Sequence, residues 1–318
     1  MSQKIFRYFK IFLINFILLY FCLYVIEIFL NYKKDKLFSK TRLYYLNSVQ
    51  KKIPDEKFYL NIGPYKFIDK KHKILPLSGY ENASIFLCLD ENNKPITFFS
   101  DENGFNNHYN FKNNDYLLIG DSYVQGMCVD KKNNLNSQFY KLSLKSTSMG
   151  VAGNGPLLEF ATYKEFESLK NYKDVILFIT IENDYWDLYH EKENKILINY
   201  LDNKDFKQNF SSYETISLKK KILDDFFKNK TNRIFNDRLS VYHFNLKELG
   251  NLIENILKKE SKLNIEYLND KSLDMLYFKI LSNFKKISDQ KNKNFFVVFN
   301  SISPDLFFPE TKNETILN

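Results

Sequence analysis

YLLIGDSYVQG, residues 116–126, decides how the rest of the chain is read. With Asp115 it opens as DYLLIG, an apolar run with no polar alternation that stops at Gly120. Such a run predicts a parallel strand buried on both faces. Gly120, Asp121 and Ser122 then fall at the carboxyl end of that strand, where open α/β sheets gather their functional groups. Gly120 predicts a tight turn, and Gly126 predicts close approach of the next helix to the sheet. Ser122 can open that helix, where its own N–H points toward developing negative charge.

Working outward, three further runs read as strands: LKSTSMG (144–150), DVILFITI (174–181) and NFFVVFNSI (294–302). Residues 156–170 lie between them as a helix, with Leu157, Leu158, Phe160, Ala161, Tyr163 and Phe166 on a broad apolar face. Strands alternating with helices predict an α/β domain with a parallel sheet. A helical insert at about 190–290 separates the last two strands, with amphipathic segments at 216–229, 245–260 and 270–288 that cover the sheet. Upstream, residues 31–55 are polar and basic and read as a linker. Residues 56–111 hold short apolar runs (FYLNIGPYKF, SIFLCLD, PITFF) punctuated by ENNK and DENGFNN, a β-rich segment with hairpin-like turns.

Two more polar loops follow strand candidates. SMGVAGNGP (148–156) carries Gly150, Gly153 and Gly155, and ITIENDYWDL (179–188) carries Asn183 and Asp184. Gly153 lies 31 residues after Ser122, and Asn183 lies 30 after Gly153. Each interval is about one βα unit of roughly 30 residues, so the three loops are expected at one sheet edge. Ser122 can supply a nucleophile. The N–H groups of Ser122 and Gly153 and the Asn183 side-chain amide can supply an oxyanion hole. A carboxylate in place of Asn183 would repel the oxyanion, and a Cβ at 153 would obstruct the approach of its N–H. The competing reading of Asn183–Asp184 is a helix N-cap.

GDSYVQG, GVAGNGP and IENDYWDL resemble the first three signature blocks of the SGNH (GDSL-type) hydrolase superfamily. The preceding SDENGFNN resembles a segment found before the first block in a membrane-anchored bacterial subgroup. The resemblance covers roughly residues 75–300. It implies a flavodoxin-like, three-layer α/β/α fold over residues 112–318 and hydrolysis of carboxylic esters, or transfer or removal of acyl groups (acetyl among them) on cell-surface polysaccharides. It makes Ser122 the nucleophile, completes the oxyanion hole with Gly153 and Asn183, and gives Gly120, Asp121 and Asp184 supporting positions. Neither a cofactor nor a metal is implied.

The chain departs from the family pattern in two places. Glu182 stands where many members have Gly. The family's closing D-x-x-H block, source of the general base, has no counterpart, because no His follows His243 in a chain ending at Asn318. The resemblance therefore implies a C-terminus short of one strand, one helix and the base. A serine hydroxyl is a poor nucleophile without a base. His108 lies 14 residues before Ser122, with Asn106 at the Asp position of an upstream D-x-H pattern, and His190 lies seven residues after Asn183. His72 falls in a basic turn and His243 in the helical insert. None identifies itself as the base. The alternative is an inactive family member that acts as a binding or structural membrane protein.

Residues 11–26, IFLINFILLYFCLYVI, carry no charge, and the apolar stretch runs to Leu30. Twenty helical residues span about 30 Å, enough for a bilayer core. The flank NYKKDK has no A-x-A cleavage site, which favours an uncleaved anchor at 11–30 in the lipid bilayer. Three basic residues precede the span and five follow it, while the short basic tail of residues 1–10 fits an N-in signal anchor with an extracytoplasmic domain. The formal charge of +8 follows the same division. Residues 1–42 hold eight basic and two acidic groups, and the other 276 residues hold 38 and 36. A nearly neutral body with four Arg in the whole chain excludes a nucleic-acid partner. Cys22, Cys88 and Cys128 show no C-x-x-C spacing, so neither a disulfide framework nor a zinc site is expected.

Overall fold

The computed structural model describes residues 3–38, 42–69, 72–107, 111, 113–239 and 270–300. The chain forms two compact units, Met1–Ser48 with Phe226–Asn264, and Val49–Asp225 with Ile265–Asn318. In the first unit, helix α1 spans Gln3–Phe38. Its stretch Tyr8–Leu30, 23 residues of mean hydropathy 2.4, is long and apolar enough to cross a membrane. Helix α2, Arg42–Lys52, follows. The polar stretch read as a linker is thus largely helical. Lysine is a good helix former, and Leu43, Leu46 and Val49 are buried at three-residue spacing.

The second unit opens with a small sheet of β1 (Phe58–Leu60), β2 (Ser84–Leu89) and β3 (Pro95–Phe99), in the order β1-β2-β3. The expected hairpin joins β2 and β3, which pair antiparallel. Asp90 shapes its turn. The Asp90 carboxylate accepts from the N–H of Asn92 (2.8 Å) and of Lys94 (2.7 Å). The run FYLNIGPYKF is a strand only over Phe58–Leu60, and Pro64–Phe67 form a 3-10 turn. The cysteines correct the sequence reading. Cys88, at the end of β2, forms a disulfide with Cys128, with Cα atoms 5.6 Å apart. That separation is ordinary for a bridge. The two residues are 40 apart in sequence, so no local motif announces the pair.

The main sheet has four strands: β4 (Asn114–Ile119), β5 (Ser146–Ser148), β6 (Tyr172–Thr180) and β7 (Phe295–Asn300). Their order is β5-β4-β6-β7 and every pairing is parallel. Leu117, Leu118 and Ile119 are completely buried, which is why DYLLIG lacks alternation. Helices α3 (Ser122–Gln125) and α4 (Leu135–Lys141) follow β4, α5 (Pro156–Phe166) follows β5, and α6 (Ile181–Glu191) follows β6. The insert adds α7 (Lys195–Asp202), α8 (Tyr213–Leu239) and α9 (Lys271–Gln290) before β7. The proposed helix at 245–260 lies outside the described residues. Every residue of α5 is buried. Phe160 and Tyr163 of α5 pack on Phe284 of α9, with ring centroids 5.2 and 5.0 Å apart.

From β4 the chain crosses to one edge, β5, then returns past β4 to β6 and continues outward to β7. The connections after β4 and β6 therefore diverge. Their carboxyl ends flank a topological switch point, the place in such sheets where a crevice forms.

Candidate active site

A cleft of about 670 Å³ opens at that point. Asp121, Ser122 and Tyr123 line it from the end of β4, Thr180 and Asn183 from the end of β6, and Asn300 from β7. The segment after α3 forms the opposite wall, with Met127, Val129, Asn133, Asn134, Leu135 and Gln138. Val124 anchors α3 by packing with Leu118 of β4 and Phe178 of β6. Ser122 is thereby fixed to the sheet while its side chain stays half-buried at the cleft.

Asp121 caps α3, with its Oδ1 accepting from the Tyr123 N–H at 2.9 Å. Its Oδ2 accepts from Ser122 Oγ at 3.5 Å and from Asn183 Nδ2 at 3.2 Å. One carboxylate thus joins two of the three loops. Asn183 Nδ2 also donates to Asp187 Oδ2 at 3.3 Å, one helical turn on, and Asn183 Oδ1 is buried without a partner. Helix α6 starts at Ile181 with Thr180 as its N-cap, so Asn183 is not a cap. Asp184 serves the backbone instead, its Oδ2 accepting from the Thr180 N–H at 3.0 Å.

The glycines behave differently from one another. Gly126 ends α3 in a left-handed conformation (φ 72°), a C-cap rather than a point of helix–sheet contact. Gly153 is also left-handed (φ 79°), and a Cβ there would run into the Tyr65 ring. Gly153 is not among the residues lining the cleft. Its loop is nonetheless tied to α3. The Ala152 N–H donates to Gln125 Oε1 at 3.0 Å, and the Val151 N–H donates to the Gly120 carbonyl at 3.2 Å.

Sequence reasoning missed the residues that hold these loops together. Gln125 is buried and exchanges two amide hydrogen bonds with Asn61 (2.9 and 3.0 Å), joining α3 to the small sheet. Asn106 donates to the Gln125 carbonyl at 2.8 Å. Asn107 pairs with the backbone of Ser148 at 2.7 and 2.8 Å. The segment DENGFNN thus packs against both motif loops. Its succession of Asn residues was the available signal.

Glu191 was also invisible in sequence. It is buried and accepts from the N–H groups of Gly155 (2.7 Å), Leu157 (2.8 Å) and Leu158 (3.3 Å), capping α5 from the last turn of α6. Glu191 belongs to a cluster with Asp121, Glu159, Asp184 and Asp187. Burial, then the charge of Asp121, pushes Asp184 up to about 9 and Asp187 up to about 6. Burial pushes Glu191 up to about 8 despite its backbone donors. Glu159 lies well above the usual carboxylate range, through burial and then the charge of Asp184. Among the described residues, no group of three or more such side chains has the arrangement to hold a metal ion. Within the cluster, Glu159, Asp184 and Glu191 hold their protons at neutral pH.

No histidine among the described residues lines the cleft. His190 sits in the last turn of α6, exposed and edge-on to Trp186 at 4.3 Å, about 10 Å along the helix from Asn183. His72 packs against Phe67 at 6.0 Å. His108 and His243 lie outside the described residues. No protein-family model, no curated protein and no solved structure matches the chain.

Proposed function

We propose that this protein is a membrane-anchored serine ester hydrolase or O-acyl (acetyl) transferase of the SGNH type, with Ser122 as nucleophile. One observation carries the reading: Ser122 and Asn183, predicted from separate motifs, meet in one cleft and bond to the same Asp121 carboxylate. The strand order β5-β4-β6-β7 supports a flavodoxin-like, three-layer arrangement, since it places the first strand of the domain inside the sheet with its successors on either side. Ser122 opens α3, so its N–H is one of the donors that no intrahelical carbonyl accepts. With the Asn183 amide it forms the oxyanion hole; Gly153, the third donor expected from the sequence, lies outside the cleft lining. The walls support an acylated substrate. Met127, Val129 and Leu135 suit an acyl chain, while Asn133, Asn134, Gln138 and Asn300 suit the hydroxyls of a neutral acceptor such as a glycan. The test is turnover of a p-nitrophenyl acyl ester. Ser122→Ala is expected to lose about 10³-fold or more in kcat with folding intact, and equal rates would refute the reading.

Helix α1 then acts as a single-pass anchor, and the disulfide supports an extracytoplasmic position, because disulfides persist in oxidising compartments. A second reading, a membrane-bound binding protein without turnover, is favoured by the lack of a cleft histidine among the described residues. It predicts ester binding that survives Ser122→Ala.

A further inference from the structure

The site needs a group that takes the Ser122 proton, and one carboxylate is already bonded to it. We propose that Asp121 is the general base of Ser122, so that the site runs on a Ser–Asp dyad. This rests on the ester-hydrolase reading above. An N-cap needs one side-chain oxygen. Asp121 gives Oδ1 to the Tyr123 N–H and leaves Oδ2 facing Ser122 Oγ at 3.5 Å. The Oγ–Oδ2 separation is long, as catalytic hydrogen bonds often are before substrate binds. Asn183 Nδ2, itself held by Asp187, donates to the same Oδ2 at 3.2 Å and fixes its orientation. A carboxylate oxygen has two lone pairs, so Oδ2 accepts from Asn183 and Ser122 together. Asp121 is 4 % exposed, so bulk water does not compete freely for it.

In the acylation step Oγ bonds to the ester carbonyl carbon as its proton passes to Asp121 Oδ2. The carbonyl π pair becomes the oxyanion. Collapse of the tetrahedral species breaks the bond to the leaving alkoxide, which takes the proton from Asp121. Water, or an acceptor hydroxyl, then attacks the acyl-enzyme by the same route, giving its proton to Asp121, and Ser122 leaves with that proton. Each half-reaction returns Asp121 to the carboxylate, and no other co-reactant is needed.

The experiment measures the burst of p-nitrophenol from p-nitrophenyl acetate, and its pH profile, in the full-length protein. The variants are Ser122→Ala, Asp121→Asn, Asp121→Ser, His108→Ala, His190→Ala and His243→Ala. Serine is as good an N-cap as aspartate, so Asp121→Ser removes the base and keeps the cap. Both Asp121 variants are expected to slow acylation about 10³-fold and to lose the acid limb of the profile, within the usual range for acid–base catalysis. The three His variants are expected to stay within about threefold of wild type, well short of the loss of a base. An Asp121 variant that keeps both rate and acid limb overturns the dyad alone, as does a His variant that loses them. Equal rates for wild type and Ser122→Ala overturn the hydrolase reading, and the dyad with it.

Discussion

Glu191 closes the amino end of α5 with both carboxylate oxygens, a favourable place for a negative group. Burial nevertheless keeps Glu191, Asp187 and Asp184 above the ordinary carboxylate range, at about 8, 6 and 9. Below about pH 3 these groups hold their protons in the folded and the unfolded chain alike, so they do not bias folding. As pH rises further the unfolded chain ionises first while the native state stays protonated, and stability falls. The melting temperature is therefore expected to decline from about pH 5 to about pH 9, and calorimetry across that range checks it. Asp184→Asn, which keeps an oxygen for the Thr180 N–H, should flatten the decline. None of this is legible in sequence. Within HEKENK, Glu191 reads as one more solvated charge, and only the fold reveals that it is buried. That Ser122 and Asn183 share one sheet edge was legible because glycine and amide-bearing loops after apolar strands mark such an edge.

At the scale of elements, β4 and the carboxyl half of β6 were readable because burial on both faces removes alternation. The limit was α2, which lies in a stretch that reads as polar and basic although Leu43, Leu46 and Val49 are buried. Their three-residue spacing was the missed signal. The disulfide was unreadable for a different reason. It joins β2 to the segment after α3, a pairing made by topology and not by local sequence. Cys128 lies between Met127 and Val129, both in the cleft wall, so the bridge fastens that wall to the small sheet. Closing a loop of 40 residues stabilises a fold by about 3–4 kcal/mol. Reduction, or Cys88→Ser with Cys128→Ser, is expected to lower the denaturation midpoint accordingly. Urea titrations with and without a dithiol reductant measure it.

At the scale of the whole molecule, hydropathy locates one helix long and apolar enough to cross a membrane, and charge leaves its direction open. Basic residues flank both ends of the apolar stretch, and lysine is abundant throughout. On the proposed reading, the Cys88–Cys128 bridge favours the oxidising side of the membrane for the second unit, because disulfides persist in oxidising compartments. A reporter enzyme that matures only in an oxidising compartment, fused after Asn318, is expected to be active. The same reporter fused before α1 should be inactive. The reverse pattern would refute the orientation.

Asn183 presents its two amide hydrogens to two carboxylates, Asp121 and Asp187. On the proposed mechanism this makes the oxyanion hole something the reaction draws out. A neutral ester carbonyl is a weaker acceptor than a carboxylate and does not win the amide away. The full negative charge of a tetrahedral intermediate competes on equal terms. The site is thus selective against its own ground state: it withholds its amide from the substrate and yields it as charge develops, so binding strengthens along the reaction coordinate.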